Sequence, residues 1–268
     1  MIREPVVADR FYPGNLNQLT QTVSDLLPHE TGQEKINAIA AVSPHAGYIY
    51  SGSVAARTLA AVEIPETVVI LGLNHHGQGD RVALSRAIWD MPMGSVQVEE
   101  RLADLLVGPG SPITHDEVAH RYEHSVEVQI PFLQALQPNL KIAPLVLSHF
   151  SFEDCIRVAE ALADGIEAFG KKVLIVASSD MSHYESRQQA TAKDRLALDQ
   201  IEAMNPQELY TTVHQSNISM CGIIPVTVAL LASKKLGATT AKVLCYTDSG
   251  EVTGDTDSVV GYAGIIIS

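Results

Sequence analysis

The sequence predicts a single-domain α/β protein in which a mostly buried central sheet is flanked by helices. Three observations lead there. Short runs of Val, Ile, Leu and Ala recur without the alternation of a half-exposed sheet, the mark of strands buried on both faces. Stretches with apolar residues at helical spacing lie between these runs, so helices should cover both sides of the sheet. The 268 residues, 46% hydrophobic and 18% charged, suffice for one large core, and no low-complexity linker or internal repeat divides them.

The elements follow in order. Leu16, Leu19, Val23 and Leu26 fall at helical spacing. Residues 38–43, 67–73 and 81–85 read as strands. Val98, Leu102, Leu105 and Leu106 again have helical spacing, and the Gly108-Pro109-Gly110-Ser111-Pro112 stretch is a loop. Residues 112–123 are polar, with His115, Asp116, Glu117 and His120, and read as a surface loop folding over a site. Glu123-His124-Ser125-Val126-Glu127 reads as a helix start that sets His124 and Glu127 on one face. Strands at 141–147 and 172–178 bracket an amphipathic helix at 153–169. A helix at 190–204 and another from near Pro225 to Lys235 precede strands at 242–247 and 258–267.

Charge and cysteine usage exclude several classes. Eighteen basic against thirty-one acidic residues give a net charge of −13 with no basic stripe, so nucleic acid is not an expected partner. Cys155, Cys221 and Cys245 are widely spaced and form no CxxC, which fits a reducing compartment rather than a disulfide scaffold. The first residues carry no apolar leader and no run reaches transmembrane length, so a cytoplasmic protein with no membrane partner is expected. Phosphate-loop, dinucleotide-loop, GxSxG and HExxH motifs are absent from the sequence.

The chemistry is signalled by position. Five strand-like runs end in loops carrying His or acidic residues: His45, His75-His76, His149, Asp180 with His183, and Asp248 with Glu251. In open α/β sheets the functional crevice lies at the carboxyl ends of the strands, so parallel neighbouring strands would bring these side chains together. One histidine after a strand is an ordinary loop residue, but their recurrence beside Gly, Pro or Ser argues for a shared site. Two neutral imidazoles and a carboxylate suit non-haem Fe(II), and a similar set suits Zn(II). His45 and His75 are the best ligand pair, with Glu251, Asp180 or Asp255 as the third ligand. His183 is placed to act as general acid or base. His76 should diverge from His75, so one of the two faces the metal. His124, with Glu127, either orients a ligand or substrate or merely belongs to a helix start with favourably placed acids. Cys221 reads as a buried small residue, with a reactive thiol near a helix start as the lesser reading.

The motifs taken together resemble the Memo family almost end to end. They run from Arg3-Glu4-Pro5 and Phe11-Tyr12-Pro13 through Ser43-Pro44-His45-Ala46-Gly47-Tyr48 and Leu71-Gly72-Leu73-Asn74-His75-His76. They continue through Glu123-His124-Ser125-Val126-Glu127 and Ser178-Ser179-Asp180-Met181-Ser182-His183, then Cys221-Gly222 and Asp257-Ser258-Val259-Val260-Gly261-Tyr262-Ala263. The resemblance implies a fold similar to the LigB-type extradiol dioxygenases, with His45 and His75 on metal-ligand positions and His183 on that of the catalytic histidine. It implies copper or iron binding and a radical SAM protein partner in the AmmeMemoRadiSam system; with the donor set, the expected cofactor is a divalent metal, Fe(II) first, with Cu or Zn also suited. The pattern of the family's eukaryotic members places a cysteine ligand shortly before the Asp-Ser-x-Val stretch. Val252 stands there in this chain, beside Glu251, so either Glu251 takes over as the third ligand or the site is a weak two-histidine one. Three functions follow: a metal-dependent, dioxygenase-like oxidoreductase, a protein binding a small molecule or peptide in the crevice, or a component of a radical SAM assembly.

Overall fold

The computed structural model describes residues 1–28 and 34–268. Six long strands make its centre: β1 (Ala40–Ser43), β2 (Thr67–Leu73), β3 (Lys141–Leu147), β4 (Val173–Ser178), β5 (Ala241–Asp248) and β6 (Val259–Ile267). Their order is β3-β2-β4-β1-β6-β5. The first four are parallel, β6 is antiparallel to β1, and β5 is antiparallel to β6. Five shorter strands extend the β3 edge and a sixth, His183–Glu185, pairs with β6, bringing the sheet to twelve.

All seven residues of β2 are buried. Val69 and Leu71 join one core cluster, with Leu102, Leu162 and Leu230, whereas Val68 and Ile70 join a second, with Leu59 and Phe132. A continuous Val/Ile/Leu run is thus read correctly as a strand with helices on both sides. The first layer holds the helices Glu100–Leu106, Phe152–Phe169 and Ile223–Lys235, and the second holds Leu16–Leu26, Tyr48–Ala60 and Ile130–Leu136. No helix among the described residues is long and apolar enough to cross a membrane.

Three expectations change. Val98 closes the strand Gly94–Val98, and the helix begins only at Glu100; strand pairing to β3 overrides the helical spacing. The segment from Glu123 to Val126 is irregular, with a 3₁₀ turn at Glu127–Gln129 leading into Ile130–Leu136. Residues 112–123 do not close over the site. Thr114–His115 pair with Val82–Leu84 at the sheet edge, and His120 is fully buried against Trp89, its Nε2–H donating to the Ala83 carbonyl at 3.0 Å.

Candidate metal centre

β2, β4 and β1 are adjacent and parallel, so their carboxyl ends open on one side of the sheet. His45 follows β1, His75 follows β2, and Asp180 and His183 follow β4. The register Ser43↔Ser178 sets the first and last of these loops side by side. A cavity of about 540 Å³ opens here, lined by His45, His75, His124, Asp180 and His183 and by Phe11, Tyr50, Tyr184 and Tyr262.

Hydrogen bonds fix the orientation of two rings. Ser178 Oγ donates to the Ser125 carbonyl at 2.7 Å, so at 2.9 Å it accepts from His45 Nδ1–H. His75 Nδ1–H donates to Glu123 Oε1 at 2.9 Å. In the neutral form each ring therefore keeps its proton on Nδ1 and its lone pair on Nε2. Cys221 Sγ lies 3.4 Å from His45 Nε2. One donor atom from each of His45, His75 and Cys221 lies within 4.8 Å of the others. Two neutral imidazoles and one sulfur fit a divalent transition metal such as zinc, iron or copper.

Electrostatics favour the neutral form of His45 and His124. Burial, with the neighbouring His75 adding to it, pushes His45 down to about 3; burial, with His45 adding to it, does the same to His124. Burial also raises the Cys221 thiol well above its ordinary range, so occupancy by a metal must release that proton. Asp180 is raised by burial although its Oδ1 accepts the His45 backbone N–H at 2.8 Å.

The other histidines fall into place around the pair. His124 stacks on His75 with ring centroids 4.5 Å apart and meets the edge of Phe11 at 4.8 Å. His183 lines the cavity, and its Nδ1–H donates to the Ser219 carbonyl at 2.9 Å, so that bond does not engage Nε2. His76 turns to the Tyr122 carbonyl and away from His75, as the adjacency of the two residues requires. His149 is exposed and does not line the cavity, so not every strand end contributes.

Glu251 is not brought to the pair. It sits 63% exposed, with its carboxylate on Arg187 at 2.8 Å, and Asp255 reaches only the cavity wall. The donor that could complete a set with both His45 and His75 is the thiol of Cys221, presented by the turn before Ile223–Lys235, while Glu123 and His124 form a second possible group around His75. A Cβ on Gly222 would lie 2.4 Å from Ser179 Cβ, so glycine is what lets this turn approach the site. Glu127 is also elsewhere: buried, it binds Arg3 at 2.6 Å and Tyr12 Oη at 2.5 Å, while His124 faces the cavity. Glu123 and Ser178 orient the two rings and were missed. Their signal was adjacency to the Glu-His and Ser-Ser-Asp motifs, which does not reveal a hydrogen-bond partner.

Fold and site together define an α/β protein with a two-histidine, one-cysteine cluster at its parallel strand ends. Residues 3–266 match the family described as Memo-like protein. A MEMO1 family protein of Methanosarcina mazei is 41% identical over 267 residues, covering 99% of each chain. Another, of Aquifex aeolicus, is 41% identical over 268 residues, covering 99% of this chain and 98% of its own. A third, of Methanocaldococcus jannaschii, is 38% identical over 284 aligned positions, covering 99% of both. The chain belongs to the Memo family.

Proposed function

We propose that this chain is a metal-dependent oxidoreductase acting on a small polar or aromatic molecule, with His45, His75 and Cys221 as ligands and iron(II) as the ion. The observation that carries the reading is the cluster itself: three donor atoms within 4.8 Å, two of them, from His45 and His75, on residues that line a cavity large enough for a small ligand. When bound, such an ion supplies Lewis acidity and access to redox chemistry. The same donors suit copper and zinc. His183, whose Nε2 the bond to Ser219 does not engage, accepts or returns a proton at the substrate. His124, neutral and stacked on His75, faces the same space, and Phe11, Tyr50 and Tyr262 supply apolar walls.

The test is elemental analysis of anaerobically purified protein beside oxygen uptake with a panel of small phenols and polar metabolites. The wild type is expected to retain close to one ion per chain, and His45→Ala and His75→Ala to lose both ion and turnover. His183→Gln is expected to keep the ion and lose turnover. Activity that survives in both ligand variants refutes the reading.

A second reading, a non-catalytic binding protein on the same scaffold, has one observation in its favour. Tyr184 is 81% exposed at the cavity wall and holds φ +59°, a conformation that is costly for a bulky residue and is concentrated at functional sites. This reading expects metal-loaded protein that binds a metabolite or peptide end without turnover, and steady-state oxygen uptake argues against it.

A further inference from the structure

The carboxylate of Glu123 is fully buried, yet among the described residues no Lys or Arg reaches it. The nearby Arg3 guanidinium is committed elsewhere, to the Glu127 carboxylate at 2.6 Å and to the backbone carbonyls of His120 and Glu123. A buried charge without a fixed partner is expensive, and such groups in proteins are paired or serve a metal. What surrounds Glu123 is a ring of donors. Its two oxygens accept the backbone N–H groups of His75, His124 and Ser125, each at 2.8 Å, and His75 Nδ1–H at 2.9 Å. Every one of these groups is a donor, so only an acceptor-only side chain satisfies them all.

The result is a line from carboxylate to imidazole to donor cluster. Glu123 holds the segment after β2 and the start of the segment bearing His124 in one piece, and it sets both the tautomer and the ring angle of His75. We propose that Glu123 is a positioning residue for the metal: it fixes His75 with Nε2 toward the ion, and the ion in turn supplies the positive charge that this buried carboxylate otherwise lacks. The proposal rests on the metal reading above. It extends that reading by making one acid outside the ligand set responsible for affinity, and by coupling occupancy to the stability of the 123–125 segment. Carboxylates that orient ligating histidines in this way govern metal affinity by roughly 10–100-fold.

Glu123→Gln is close in size but presents an amide N–H₂ to groups that are themselves donors. Glu123→Asp keeps the charge and shortens the reach. Ser178→Ala removes the corresponding partner of His45 and leaves Glu123 intact.

The first measurement needs no variant. Long-range ¹H–¹⁵N spectra of the metal-free wild type are expected to show His75 protonated at Nδ1 only, and an Nε2–H tautomer overturns the proposal. The second is cobalt(II) titration against a competing chelator. Glu123→Gln is expected to bind roughly 10–100-fold more weakly while keeping a sulfur-to-cobalt absorption band, because His45 and Cys221 are unchanged. The rise in Tm on saturation with cobalt is expected to shrink in the same variant, and Glu123→Asp to recover part of the affinity. Cobalt affinity of Glu123→Gln equal to wild type overturns the proposal and leaves the ligand cluster standing. A wild type that takes up no cobalt overturns the metal reading itself. Should Glu123→Gln fail to fold, Glu123→Asp and the wild-type tautomer decide the matter.

Discussion

Replacing Cys221 by Ser separates the thiol from the carboxylate as third ligand. The change removes one sulfur and leaves His45 and His75 in their hydrogen-bonded orientations, because neither Ser178 nor Glu123 touches Cys221. Four-ligand zinc sites bind with roughly 10–16 kcal/mol, or about 3 kcal/mol per ligand. Loss of the thiolate should therefore weaken binding by roughly two orders of magnitude. The assay is cobalt(II) titration of Cys221→Ser and Glu251→Gln against wild type, followed by the sulfur-to-cobalt band. The thiol is held protonated by burial, so wild-type affinity should climb with pH more steeply than that of Cys221→Ser, by one proton. Glu251 lies on Arg187, outside the cluster, so Glu251→Gln should match wild type. Wild-type affinity in Cys221→Ser together with a loss in Glu251→Gln would refute this assignment and restore the carboxylate.

Two further predictions concern the frame of the site. His120 is buried beside Trp89, and burial lowers its pKa from 6.5 to about 4. In acid the unfolded chain takes up this proton first, so the stability tied to His120 is complete above pH 6.5 and is lost as the pH falls toward about 4. The loss amounts to on the order of 3 kcal/mol, and metal-free His120→Asn should show a shallower fall in denaturant stability over that window; an unchanged slope contradicts the idea. Arg3 lies 4.0 Å over the Trp89 ring and pairs with a fully buried Glu127. Arg3→Met should cost about 3–5 kcal/mol by stranding that carboxylate, a drop in Tm on the order of 10 °C by calorimetry, and a loss below 1 kcal/mol would refute it.

Much of this was legible in the residues, for identifiable reasons. β2 and β4 announce themselves because strands covered on both faces must be apolar at every position. The convergence of His45, His75 and His183 follows from three strands being parallel neighbours, which strand-end position anticipates. Cys221 was given to the core because nothing in Met220-Cys221-Gly222 tells where its turn packs. Only the contact of Gly222 with Ser179 carries it to the site. Glu251 was chosen by chain proximity to the Asp-Ser-x-Val stretch, but the helix Gly250–Thr253 turns it outward to Arg187. The helix Tyr48–Ala60 escaped notice because its buried face is made of small residues such as Ser51, Gly52, Ala55 and Ala56 rather than a stripe of Leu and Ile. Glu123 and Glu127 carry the same charge four residues apart, yet one orients His75 and the other anchors Arg3, a division that only tertiary contacts make.

The most direct test of the central claim is X-ray absorption at the edge of the bound metal, on wild-type protein loaded anaerobically with one equivalent of iron(II) or zinc. A first shell with one sulfur near 2.3 Å and two imidazole nitrogens near 2.0–2.1 Å is predicted for zinc, with the sulfur absent in Cys221→Ser. A shell of nitrogen and oxygen alone in the wild type would contradict the cluster of His45, His75 and Cys221.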